Sequence, residues 1–306
     1  ALREKSEEFD SVIKMGRTQL QDAVPIRLGQ EFHAYASAIS RDIKRFDTAK
    51  EEIRSLNMGG TAIGTGLNAD STYFHRVVKN MSSITGEELV QSYDTIDATQ
   101  NLDSYAMVSG IVKSCAVNLS KMCNDLRLMS SGPRTGFCEI NLPAKQNGSS
   151  IMPGKINPVI PEVVNQVAFN IIGNDVTITM AAEAGQLELN AFEPIIFYNL
   201  FESIQTLSNA VQTLVDNCIV GITANEEHCR EMVESSIGII TAICPYVGYE
   251  TAANIAKEAL RTNQSVRELI LQKKLLSEEQ LTTILDPYTM TKPGIQGRNP
   301  ADLLAD

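Results

Sequence analysis

The sequence predicts an all-α protein built around long bundled helices, and three observations carry that expectation. Apolar residues recur with a period close to 3.5 in several long segments, the spacing of one helix face packed against another. Strand signals are few and isolated. After Gly221–Asn225 the texture changes from long stripes to short amphipathic pieces. That change divides the 306 residues into a helical bundle over 1–222 and a small C-terminal helical domain over 223–306, a size split normal for a chain of this length.

Taken in order, the first stripe is Phe32, Tyr35, Ile39, Phe46, Ile53 and Leu56. A second runs from Asn101 to Ser130 and carries Leu102, Tyr105, Val108, Cys115, Leu119, Met122 and Leu126. A third helix is expected from Asn157-Pro158, with Asn as cap and Pro at the first helical position, continuing through VVNQVAFNIIGNDVTITMAAEAG. The fourth stripe, Leu200, Ile204, Leu207, Val211, Leu214 and Cys218, advances by alternating fours and threes, as in a coiled-coil-like seam. These stripes read as core. Helices apolar on more than one face also suggest burial against partner subunits. In the C-terminal part, SVRELILQKK is followed by LSEEQLTTIL, with Ser277 a plausible cap. The tail MTKPGIQGRNP reads as a surface segment.

Composition narrows the functional classes. A net charge of -11 and a pI near 4.9 argue against a general nucleic-acid binder, which needs clustered Lys and Arg. Hydrophobic content of 43% and a mean hydropathy of -0.08 describe an ordinary globular protein. No run of about 18 apolar residues occurs, so no helical membrane span is expected. The start, ALREKSEEFD, lacks both an initiator Met and an apolar signal core, and reads as a chain entered in its middle. Six cysteines form no CxxC pair and there are three histidines, so no metal cage is expected. Reduced thiols in a cytoplasmic protein are the simpler reading.

Three segments depart from the helical pattern. NGSSIMPGKINP, Asn147 to Pro158, joins two serines, two glycines, two prolines and Lys155 between helical stretches. Its backbone N–H groups and Lys155 could hold a carboxylate with help from the following helix N-terminus; composition alone favours a mobile surface loop. MGRTQLQDAVP, Met15 to Pro25, clusters Arg17, Thr18, Gln19 and Gln21. Such a cluster could bind a carboxylate by hydrogen bonds, or could be a polar loop leading into a helix after Pro25. MGGTAIGTGLN, Met58 to Asn68, resembles a phosphate loop superficially. It lacks the GK[ST] ending and a preceding strand, so a turn between helices is the better account.

Together the three segments resemble the fumarase/aspartase superfamily, whose hallmark is GSSxMPxKxNP. Residues Gly148 to Pro158 match it almost completely, GRTQLQDAVP is similar to the family's GRTHLQDAxP, and GGTAIGTGLN occurs in the same order. Within the superfamily the flanks LPAKQNGSS and NPVIPE, and the stretches TITMAAEAGQLELN and SIGIITAICPYVGYE, resemble the aspartase branch. The flanks look like aspartase more than fumarase, and the stretches do not resemble argininosuccinate or adenylosuccinate lyases.

The resemblance implies a long-helix bundle of the fumarase/aspartase type and a cytoplasmic, homotetrameric carbon–nitrogen lyase. Its substrate would be a small dicarboxylate, L-aspartate, converted reversibly to fumarate and ammonia without metal or organic cofactor, and without nucleic-acid or membrane partners. Ser149 would be the general base that removes the C3 proton. Thr18 and Gln19 would contact the reacting carboxylate, and Lys155 and Asn157 the other one. Glu162 matches a family glutamate that pairs with the histidine of GRTHLQ. That histidine is Gln19 here, which donates a hydrogen bond but cannot become cationic. The family's N-terminal third, with a further Thr/Ser substrate-binding motif of the type GTSxNMN, is absent from these residues. The rival readings are fumarate hydration and a non-catalytic helical oligomer.

Overall fold

Residues 1–148 and 151–297 are described by the computed structural model, and most of them are helical. Ser149 and Ser150 lie outside the described residues. Along the chain run α1 (Leu2–Glu8), β1 (Ile13–Thr18), β2 (Gln21–Arg27), α2 (Leu28–Glu52), β3 (Ser55–Leu56), α3 (Ser71–Thr85), β4 (Val90–Gln91), α4 (Asp97–Gln100) and α5 (Asp103–Met129). There follow β5 (Ile140–Asn141), α6 (Val159–Glu183), α7 (Glu193–Asn217), β6 (Thr223–Ala224) and α8 (Glu226–Ser235). The chain then continues through α9 (Cys244–Val247), α10 (Tyr249–Thr262), α11 (Val266–Gln272) and α12 (Glu278–Ile284). No helix among the described residues is long and apolar enough to cross a membrane.

Two compact units are formed from interleaved stretches. One joins Ala1–Ala36 and Leu128–Pro143 to the chain from Ile219; the other joins Ser37–Arg127 to Ala144–Cys218. The texture change at residues 222/223 thus lies close to the start of the first unit's last segment.

The helical unit owes its form to the apolar stripes. Leu102 just before α5 and Val108 within it, Ile178 and Ala181 from α6, and Ile196 and Leu200 from α7 close one core cluster. Across it the Tyr105 and Phe197 rings meet edge to face at 4.9 Å. Polar pins fix the pairing of the helices. Asn118 donates to both carboxylate oxygens of Asp42 (3.0 and 2.8 Å), tying α5 to α2. On α6, Asp175 accepts from Ser109 at 2.8 Å and is ion-paired with Lys113, both of α5. Buried Asn165 donates to the Ser120 carbonyl and hydroxyl at 3.0 and 2.8 Å. Each group would be expensive to bury alone, so these pairs select one arrangement of neighbours.

Several expectations change in detail. The α2 helix ends before Ile53 and Leu56, which fall in a turn and in β3. In α7, Leu200, Leu207 and Leu214 are buried whereas Ile204 and Val211 remain exposed, because the buried stripe runs through Ser203 and Ala210, one position to the side of each. Asn157 does not cap α6; Pro158 occupies the cap position without a side-chain bond, its backbone N having no hydrogen to satisfy. Met58 to Asn68 forms turns ahead of α3, whose cap Asp70 accepts from the Thr72 and Tyr73 amides and is held below the usual carboxylate range by those bonds. Ser277 caps α12 in a full capping box with Gln280, as expected.

In the other unit, Met15, Val233, Ile243, Ile255, Leu269, Ile270 and Leu281 form the core. The cysteines are free. Burial pushes the thiols of Cys115, Cys123, Cys218 and Cys229 up to about 12, so almost no thiolate exists near neutrality. In iodoacetamide labelling of the native protein at pH 8, the partly exposed Cys138 and Cys244 are expected to react first. The four buried thiols should react only on unfolding, and native labelling of any of them would contradict their burial. The sign for stability follows. The native state keeps protons that the unfolded chain releases above the ordinary thiol value of 9.0, so stability falls as pH rises from there toward about 12.

Candidate active site

The Thr18–Gln19 pair lies on a β-hairpin, not on the polar loop open to Pro25 that the sequence allowed. Strands β1 and β2 pair antiparallel, with Thr18 opposite Gln21 and Arg17 opposite Asp22. Gln19 and Leu20 make the two-residue connection, both left-handed at φ 52° and 63°. Such a turn matches strand twist but normally uses Asn-Gly. Two bulkier residues there add strain of about 1 kcal/mol or more each, so the surroundings must hold the tip in place. Thr18 and Gln19 are exposed and Leu20 is 62% exposed, which leaves a hydroxyl and an amide at the surface.

The surroundings are an ionic cluster. Glu139 is fully buried, at 0% exposure. Arg17 Nη1 donates to its Oε1 at 2.5 Å, and Lys14 Nζ lies 3.1 Å from Oε2 and 2.9 Å from Glu31. The Arg17 guanidinium also stacks 4.1 Å from the centroid of the Phe137 ring. In a regular strand, residues three apart point to opposite faces. Here a bulge between Met15 and Arg17 turns both cations toward one carboxylate. The bulge needs Gly16, where a Cβ would stand 2.7 Å from the Val24 carbonyl. Arg17 is therefore committed to Glu139 and is not the free carboxylate ligand that its place in the cluster suggested.

The second set of residues belongs to the other unit. Gly148 N–H donates to the Lys155 carbonyl at 2.5 Å, and Asn157 N–H to the Gln146 carbonyl at 3.2 Å. With the bridge Asn147–Ile156, these bonds close the neck of the Gly- and Pro-rich loop at the start of α6. A Cβ on Gly148 would lie 2.9 Å from Lys155 Cβ, so the neck requires glycine. Lys155 is exposed, Asn157 half-buried, and Ile151 at the loop is 87% exposed. No carboxylate lies within ion-pairing distance of Lys155 among the described residues, which leaves its ammonium available to an anion. Glu162, in the first turn of α6, contacts Arg127 at 3.4 Å. Half-exposed as it is, that pair contributes about 0–1 kcal/mol.

Lys155 and Asn157 thus share the loop neck, while Thr18 and Gln19 share the hairpin tip. Ser149 falls outside the described residues. The Lys14–Glu139–Arg17 cluster was missed from sequence. Its one signal was an isolated acid in the apolar run GFCEINLP.

Comparison with known proteins places these residues in context. A family model described as "Lyase" matches residues 1–173, and one described as "Fumarase C C-terminus" matches residues 239–292. An aspartate ammonia-lyase of Bacillus subtilis (strain 168) is 57% identical over 296 residues, 97% of this chain and 62% of that protein. One from Helicobacter pylori is 55% identical over 96% of this chain and 63% of its own length. A crystal structure of a fumarate lyase:delta crystallin from Brucella melitensis bound to cobalt superposes with a TM-score of 0.91 at 51% identity. It covers 95% of this chain and 63% of that one. Recombinant class II fumarase from Schistosoma mansoni gives a TM-score of 0.91 at 34% identity, over 95% of this chain and 64% of its own. The chain therefore spans less than two thirds of the length of each of these relatives.

Proposed function

Because the chain belongs to the fumarase/aspartase family of lyases, we propose that the whole protein catalyses the reversible deamination of L-aspartate to fumarate and ammonia. The observation that carries this reading is the 57% identity to an aspartate ammonia-lyase over 97% of the chain. The GSSIMPGKINP loop lies within the aligned residues.

Ser149 acts as the base. Its alkoxide takes the proton from C3, and the C–H electron pair moves into the adjacent carboxylate to give a dianionic aci-carboxylate. Collapse of that intermediate forms the C2–C3 double bond and expels ammonia with the C–N electron pair from C2. The intermediate, not the substrate, needs the most stabilisation, so donors aimed at those oxygens contribute most. The Thr18 hydroxyl and Gln19 amide serve this carboxylate. Lys155 and Asn157 hold the other carboxylate, which changes little during the reaction.

Homotetramer formation, with sites shared between subunits, belongs to the same proposal. It is supported by the large side chains that α6 and α7 leave outward, Phe169 and Met180 on one and Tyr198 and Phe201 on the other, all more than 60% exposed. A monomeric mass by light scattering would overturn it.

The direct test follows the ultraviolet absorbance of fumarate formed from L-aspartate. Fumarate from L-malate but not from aspartate would replace this reading with hydration, and silence with both would favour a structural oligomer. Gln19→His tests the tip. A neutral donor where a cation is possible weakens stabilisation of the intermediate by about 1–3 kcal/mol. The histidine variant should therefore raise kcat about 5- to 150-fold; no rise would refute the role given to position 19.

A further inference from the structure

Arg17 and Asp22 face each other in the β1–β2 ladder, at the rung directly below the tip Thr18–Gln21. Opposite charges in such positions ordinarily pair with one another. Here each side chain reaches away to a different part of its unit. Arg17 binds Glu139 at 2.5 Å, lies against the Phe137 ring, and donates to the Met15 carbonyl at 3.3 Å. Asp22 Oδ2 accepts from the Ser236 hydroxyl at 2.7 Å. That hydroxyl in turn accepts from the Gly238 amide at 3.0 Å, so it is fixed by the cap of the 3-10 turn Ile237–Ala242. One strand is thus tied to residues 137–139 and the other to residues 236–238, at the same rung.

We propose that Arg17 and Asp22 are positioning residues, two struts that hold the hairpin tip in its left-handed turn. They would fix the Thr18 hydroxyl and Gln19 amide where the developing carboxylate dianion forms. This rests on the reading that the tip contacts substrate. Neither strut touches substrate itself; each acts through the turn it braces. Two non-glycine residues in the left-handed region stay there only when their neighbours over-determine them, and a tip free to relax would misplace both donors.

The test compares Arg17→Lys, Asp22→Ala and Asp22→Asn in the whole protein, with Thr18→Ala as the control for the tip. The readouts are kcat and KM for L-aspartate, the thermal midpoint, and hydrogen exchange of the peptide spanning residues 18–21. Arg17→Lys keeps the charge but loses the guanidinium's stacking face. It is expected to lower kcat/KM about 10- to 100-fold through kcat, with faster exchange at the tip. Asp22→Ala should act in the same direction and less strongly, since Asp22 lies at an exposed position. Asp22→Asn, which keeps an acceptor for Ser236, should recover most of that loss. Full kcat/KM and unchanged tip exchange in folded Arg17→Lys and Asp22→Ala would overturn the proposal. Should Arg17→Lys not fold, Asp22→Ala decides it alone. If Thr18→Ala leaves catalysis intact, the tip is not a substrate contact. Exchange then judges the struts: faster exchange in their variants supports them, and unchanged exchange refutes them.

Discussion

Ser149→Ala in the whole protein is expected to lower kcat for aspartate deamination by about 10²- to 10⁴-fold, with KM changed little. The C3 proton is weakly acidic, so removing the base leaves only water to take it. A group that acts in the proton-transfer step shows its loss in kcat and kcat/KM together. Lys155→Ala provides the contrast. In the proposed mechanism its ammonium serves the carboxylate that is the same in substrate and intermediate, so its loss would remove uniform binding and should appear mainly in KM. Initial rates of fumarate formation across aspartate concentrations separate the two patterns. A Ser149→Ala enzyme retaining more than a tenth of the parent kcat would assign the base elsewhere.

Glu139→Ala is expected to have the largest effect on stability, a loss of about 3–5 kcal/mol in urea unfolding. The carboxylate is buried and meets Arg17 at 2.5 Å and Lys14 at 3.1 Å. Removing it leaves two cations in a nearly dry cluster with only Glu31 to answer them, and uncompensated buried charge is among the most destabilising changes available. Glu139→Gln keeps an acceptor but not the charge, and should fall between parent and alanine. If Glu139→Ala unfolds within about 1 kcal/mol of the parent, the cluster is neither as dry nor as tightly coupled as its geometry implies. Unlike Arg17→Lys, this variant is expected to fail globally, so it tests the frame of the hairpin and not the aim of its tip.

Much of the molecule could be read in advance because helices are local. The stripes through Leu102–Leu126 and Leu200–Cys218 placed α5 and α7, and Ser277 placed the start of α12, since a helix's bonds and caps join residues a few positions apart. The loop Gly148–Pro158 is legible through its resemblance to the family motif; its residues alone favour a mobile surface loop, and the cap expected at Asn157 falls at Pro158. The β1–β2 hairpin had no such mark. Its turn is Gln19-Leu20, which carries none of the Asn-Gly chemistry that announces a hairpin, and its bulge at Gly16 breaks the alternation that announces a strand.

The sequence by itself determined the long helices, the family and the motifs to which the proposed mechanism assigns the chemistry. Only the tertiary structure decided that Arg17 belongs to Glu139, 122 positions away, and that Asp22 belongs to Ser236, 214 positions away. It alone decided, too, that one compact unit is assembled from three separate stretches. The physical reason is range. Propensity, capping and periodicity act over a few residues, whereas the partner of a buried charge is chosen by which distant segment closes over it.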